Sequence, residues 1–204
     1  MKILELVIDT EAEVYGIDAI SLVENPAIES DFVALQEDKP ILFAEMDKEK
    51  RIVMGAALIP DKPIYRRDAD GSEFYVYFSK STVRQASELF FKLGNQNSTT
   101  LEHEHTLHGL SVVESWIVED KEQDKSKLYG LDVPVGTWMT SIKVDNDAVW
   151  SEWVKEGKVK GFSIEGFFVD RMEVEQRKDA MLAELEVLCA VHGAMNTNTP
   201  DPQS

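Results

Sequence analysis

A succession of short segments in which apolar and polar residues alternate, each closed by turn chemistry, constrains this chain more than any other feature. Residues 73–79 (EFYVYFS), 110–119 (LSVVESWIVE) and 133–144 (VPVGTWMTSIKV) carry the period of two expected of strands with one buried face. Residues 2–8 (KILELVI) alternate in the same way, and 51–60 (RIVMGAALIP) form an apolar run ended by Pro60. The stretch 158–170 (KVKGFSIEGFFVD) belongs to the same set. There Val159, Phe162, Ile164, Phe167 and Phe168 favour extended backbone, and Gly161 and Gly166 bracket the centre. Residues 99–105 (TTLEHEH) and 30–36 read as further strands, and 41–46 (ILFAEM) as a short pairing segment. Strands of this length bury little alone, so they must pair.

Helical spacing occurs in three places. Residues 80–93 follow a candidate N-cap, Ser79, and stop at Gly94. Residues 147–156 follow Asp145 as cap, and Trp150 and Trp153, three apart, face one side and dock that short helix. Residues 173–192, rich in Ala, Glu and Leu, predict an amphipathic helix. About seven strands and about three helices, with no regular β-α-β alternation, predict an α+β fold that is mainly β. The expected form is a bent antiparallel sheet or barrel decorated with helices. The expected division is N-terminal strands and a connecting segment over 1–50, a barrel domain over 51–170, and a C-terminal helix with a disordered polar tail over 171–204.

Charge narrows the function. With 38 acidic and 21 basic residues the net charge is −17, which opposes binding to nucleic-acid phosphates and to anionic membranes. No segment approaches the ~20 consecutive apolar residues of a membrane helix. The first residues lack the basic and apolar pattern of a secretory leader, so none is expected. A lone cysteine, Cys189, excludes an internal disulfide and is expected in a core or interface. No glycine-rich phosphate loop is present, and no cofactor is expected.

Two sites carry candidate chemistry. Ser163 stands between Phe162 and Ile164 and gains nothing from burial, while the nearby glycines let a backbone or substrate approach. It is a candidate nucleophile; a core serine bonded to a neighbouring carbonyl is the other reading. Three of the four histidines lie in 103–108 (HEHTLH). On a strand, His103 and His105 would share a face. They could be surface residues. They could be zinc ligands with His108 as a third, although Leu107 stands where the helical zinc-protease pattern needs its second histidine. Or one of them is the base that activates Ser163, since a serine hydroxyl is a poor nucleophile until a neighbour takes its proton. A base needs an orienting group. If His105 pairs with Leu110 across a hairpin, Glu114 lies diagonal to His103, ~7 Å away. Glu114 also reads as the polar member of an edge strand. Glu165, on the Ser163 face of its own strand, is a second candidate less well placed to approach His103.

The His-acid pair 103–104, followed by a glycine-containing turn into 109–120 (GLSVVESWIVED), resembles the His motif of phage prohead proteases. The block 157–168 (GKVKGFSIEGFF) resembles their Ser motif, and 20–35 (ISLVENPAIESDFVAL) resembles the start of the XkdF-type branch. The resemblance covers most of residues 17–170. It implies an assemblin-like fold, similar to the herpesvirus capsid-maturation protease. It further implies an endopeptidase that cuts scaffold and major capsid proteins, and itself, within the assembling procapsid in the host cytoplasm. A homo-oligomer is compatible with it. Carried over by position, Ser163 is the nucleophile and His103 the base, with His105 as the fallback. The herpesvirus enzymes use a second, later histidine; here the only later one is His192, in the expected C-terminal helix, which leaves Glu114 as the third member. The C-terminal helix and tail would be scaffold-like or removed on maturation. A non-catalytic head-assembly protein on the same fold and a His-x-His metal module are the competing readings.

Overall fold

The computed structural model describes residues 2–26, 44–47, 51–68 and 70–196; the strand expected at 30–36 and most of the expected tail lie outside them. In chain order the elements are β1 (Lys2–Val7), β2 (Gly16–Val23), β3 (Ala44–Asp47), β4 (Ile52–Leu58), β5 (Ile64–Arg67), β6 (Glu73–Tyr77), α1 (Lys80–Lys92), β7 (Thr99–Leu101), β8 (His105–Leu107) and β9 (Leu110–Ile117). They continue with α2 (Lys125–Leu128), β10 (Trp138–Val144), α3 (Asp147–Val149, extended by a π-helical turn over Trp150–Val154), β11 (Gly161–Phe167), β12 (Val169–Asp170) and α4 (Arg171–Asn196).

The strands form three four-stranded sheets, in the orders β12-β1-β6-β5, β3-β4-β10-β9 and β11-β2-β7-β8. The fold is α+β and mainly sheet, as expected, but it has more and shorter strands than the seven expected. Among the described residues no sheet closes into a barrel. Nor is the pairing uniformly antiparallel: β1 runs parallel to β6, and β2 parallel to β7. Alternation reveals that a segment has a buried face but not which strand lies beside it. The stretch 99–105 is not one strand, because Glu102 and His103 adopt positive φ (51° and 61°) and fold it back as β7 and β8.

The middle sheet is buried on both faces. Val53, Ala57, Trp138 and Ile142 face the main core, and Met54, Ala56 and Met139 face a second cluster with Ile59, Val118 and Val133. This explains the near-continuous apolar run of β4. Trp138 is fully buried, packs edge-on to Phe90 of α1 at 5.6 Å, and donates its indole N–H to Ser115 Oγ at 2.9 Å. Burying an aromatic or aliphatic side chain of this size contributes about 1.5–3 kcal/mol. Trp150 is buried with Trp153 packed beside it, so the short helix docks as expected. Its cap is Asn146 rather than Asp145: the Asn146 side chain accepts the Val149 N–H at 3.1 Å.

The last helix is held at its base. Arg171 Nη2 donates to Glu5 Oε1 at 2.7 Å, and Arg177 pairs with the buried Asp9. Further along, Met181, Leu182, Leu185 and Leu188 are exposed. So is Cys189, which removes the core position from the two expected for it, core or interface. The Arg171 contact holds the Glu5 carboxyl below the usual carboxylate range, against the opposing effect of burial. A depressed folded-state pKa stabilises above the unfolded value and loses that contribution as pH falls through the folded one. Arg171→Ala is therefore expected to cost about 1 kcal/mol at neutral pH and little in acid, below the Glu5 titration. Urea unfolding of both proteins at the two pH values measures this.

Candidate active site

β11 ends its sheet, with β2 antiparallel on one side. Ser163 stands opposite Ser21, and Ser21 stands opposite Thr100 of β7. Three hydroxyl residues thus form a row across three strands. The alternate residues Phe162, Ile20 and Leu22 enter the core, with Ile164 packed against it, so the row lies on the other face. Glu165, two residues after Ser163, shares that face.

The β7–β8 turn brings the histidine to the row. Positive φ at a non-glycine residue costs on the order of 1–3 kcal/mol and persists where surrounding contacts impose it. Here the Glu102 N–H donates to the Leu22 carbonyl at 3.1 Å, and the Glu102 carboxylate accepts the Glu24 N–H at 2.5 Å. The His103 N–H donates to Ser21 Oγ at 3.0 Å. Pinned in this way, His103 places ring Nδ1 3.1 Å from Glu165 Oε1, and Thr100 Oγ1 donates to the same oxygen. A carboxylate at Nδ1 favours the tautomer with its proton there and leaves Nε2 free to accept one. Ser163 is half-buried, and its hydroxyl forms no hydrogen bond among the described residues, to a carbonyl or to the His103 ring. Catalytic hydrogen bonds without substrate are often looser than in the reacting complex. Asp18, also on β2, has its carboxyl pushed up by burial and then by the negative charge of Glu165.

Glu114 lies elsewhere. The expected hairpin of His105 with Leu110 is not formed, because the turn at Glu102 and His103 pairs β8 with β7 instead. That leaves β9 to pair with β10, where Glu114 stands opposite Ser141. Lys125 Nζ lies 2.6 Å from both Glu114 oxygens and Ser141 Oγ donates to one at 2.6 Å. Lys125 first, then Ser141, hold this carboxyl below its usual range. It is Glu165 that meets the His103 ring. Glu114→Gln is expected to leave any turnover unchanged, since Glu114 lies away from the His103–Glu165 pair, and to lower stability by at most about 1 kcal/mol, since the ion pair is partly exposed. Thermal melts and a turnover assay on the same variant check both statements.

His105 and His108 are apart from the row. His105 lies beyond the turn, exposed, with Nε2 3.9 Å from Glu104. His108 offers its backbone carbonyl to Asn146. Among the described residues no group of three or more His, Cys, Asp or Glu could hold a metal ion.

The bracketing glycines serve packing. A Cβ on Gly161 would come 2.8 Å from the Pro26 ring, and one on Gly166 would overlap the Gly16 carbonyl oxygen. A cleft of about 280 Å³ opens beside β11, lined by Ser163 and Arg66 and otherwise mostly by residues of the main core, among them Leu6, Leu58, Ile64, Phe78, Ile164 and Phe168.

The signal that points to Glu165 is the Ser-x-Glu spacing on one strand face. No signal in the sequence placed Ser21 or Thr100, because their row depends on the parallel partnership of β2 and β7. A family model described as "Putative phage serine protease XkdF" matches residues 40–173. No curated protein and no solved structure matches the chain. Among the described residues no helix is long and apolar enough to cross a membrane.

Proposed function

The chain belongs to the XkdF phage serine protease family, and from that premise we propose that it is an endopeptidase with Ser163 as nucleophile. His103 Nε2 accepts the Ser163 proton as Oγ attacks a peptide carbonyl. The resulting tetrahedral intermediate collapses to an acyl-enzyme, and the leaving amine takes the proton from His103. Water then enters, activated by the same nitrogen, and releases the acid. Glu165 holds the ring and stabilises the imidazolium; Thr100 holds Glu165. The substrates are scaffold and major capsid proteins, and the chain itself, inside the assembling procapsid in the host cytoplasm.

The observation that carries this reading is the Nδ1 contact of His103 with Glu165, on the strand face that also bears Ser163. The experiment is co-expression with the scaffold and major capsid proteins of the same phage. Shortened products are expected, cleavage is expected to stop with a fluorophosphonate, and mass spectrometry is expected to find the label on Ser163. Intact partners in active-phage conditions, or cleavage that continues while Ser163 is fully labelled, would overturn it.

A further inference from the structure

The cleft beside β11 contains a cation whose charge nothing else in the described protein answers. Arg66 lies on β5 and lines the same cleft as Ser163. No carboxylate among the described residues pairs with its guanidinium; its hydrogen bond goes to the adjacent Tyr65 carbonyl at 3.0 Å. Tyr65, beside it on β5, donates instead to Glu73 of β6 at 2.7 Å. Arg66 thus brings a positive charge to the cleft that Ser163 also lines.

We propose that the cleft receives an extended substrate segment along the free edge of β11, and that Arg66 reads a carboxylate side chain close to the scissile bond. This rests on the reading of Ser163 as nucleophile. The edge supports it: β11 is paired on one side only among the described residues, so its second edge offers backbone groups to a strand-like peptide. The rest of the lining is apolar, with the half-buried Leu6 and Phe168 beside the buried Leu58, Ile64 and Phe78. Although Arg66 is exposed as a residue, packing around its head removes water and lowers its pKa below the usual arginine value. A guanidinium that is partly desolvated and unpaired gains most from a carboxylate that arrives with the ligand. The substrate class is therefore an acidic peptide segment with apolar flanks, and a neutral amide in place of the carboxylate leaves Arg66 unanswered.

The test uses the full chain and two pools of quenched fluorescent decapeptides. They are randomised at flanking positions and differ only in Glu or Gln at one fixed central position. The wild type is expected to cleave the Glu pool about tenfold faster or more, as the loss of one charge-assisted hydrogen bond implies. Arg66→Gln is expected to erase that difference by slowing cleavage of the Glu pool, and Arg66→Glu to turn the preference toward a third pool carrying Lys. Equal rates on the Glu and Gln pools, or an undiminished Glu preference in Arg66→Gln, overturn the proposal and leave proteolysis at Ser163 standing. If no pool is cleaved, fluorescence anisotropy of the same peptides on Ser163→Ala protein decides it. Tighter binding of Glu peptides that Arg66→Gln removes supports the role of Arg66; equal binding overturns it, whatever becomes of the nucleophile.

Discussion

Ser163→Ala is expected to lower cleavage at least about a thousandfold, and His103→Ala to reach the same floor. The double variant is expected to fall no further, because nucleophile and base act on one proton and removing either ends the transfer. Glu165→Gln is a sharper probe. It keeps the size of the side chain and an oxygen within reach of Thr100, but removes the charge that favours a proton on Nδ1 and stabilises the imidazolium. A loss of about a hundredfold or more in kcat is expected, with KM little changed, since the group acts on the ring and not on bound substrate. None of the three should unfold the protein: His103 and Glu165 are partly exposed, and Ser163 gives up no hydrogen bond within the described structure. Steady-state kinetics with urea unfolding of each variant separates the two effects. Ser163→Ala retaining more than a tenth of wild-type turnover, in protein of unchanged stability, would sink the assignment. A Glu165→Gln variant with full kcat would leave Ser163 and His103 as a dyad and make Glu165 a structural partner only.

Much of this site is readable from strand periodicity, and the unread part has a definite cause. Alternation along 158–170 puts Ser163 and Glu165 on one face and Phe162 and Ile164 on the other, as observed. It does not say that β2 lies next to β11, or that β7 then runs parallel to β2, since both partners are remote in sequence. The choice of Glu114 followed from assigning 99–105 to a single strand. Glutamate and histidine do not announce a left-handed turn as glycine or asparagine does. Their positive φ is imposed by the Ser21 hydroxyl, the Leu22 carbonyl and the Glu24 N–H, all contributed by a distant segment. That one turn moves His103 from a strand face to a strand end and exchanges its carboxylate neighbour. The buried middle sheet shows the converse case. There the apolar run of β4 and the alternation of β10 gave strands in the right places, because each strand's own residues record its burial.

Gly166→Ala is expected to cost about 1–3 kcal/mol of stability and to lower turnover about tenfold or more, although no atom of residue 166 takes part in the chemistry. The added Cβ would overlap the Gly16 carbonyl oxygen and stand 3.0 Å from Ile17 Cα. Both obstacles are backbone, so no rotamer change relieves the clash; β11 must shift along or away from β2. The shift would come at the point where their register already breaks, between Glu165 and Gly166. Glu165 is the adjacent residue, and its carboxylate meets Nδ1 at 3.1 Å, so a displacement of a few tenths of an ångström degrades the geometry that holds the base. Gly161→Ala supplies the control on the same strand. There the nearest obstacle is the Pro26 ring, a side chain near the end of β2 that can move without moving β11, at 2.8 Å. It is expected to destabilise less and to leave kcat within about threefold of wild type. The urea midpoint and kcat of the two variants, measured side by side, distinguish a register lock from general crowding. If Gly166→Ala and Gly161→Ala lose stability equally and neither changes kcat, the break at Glu165 has no hold on the histidine, and Glu165 is positioned by Thr100 alone.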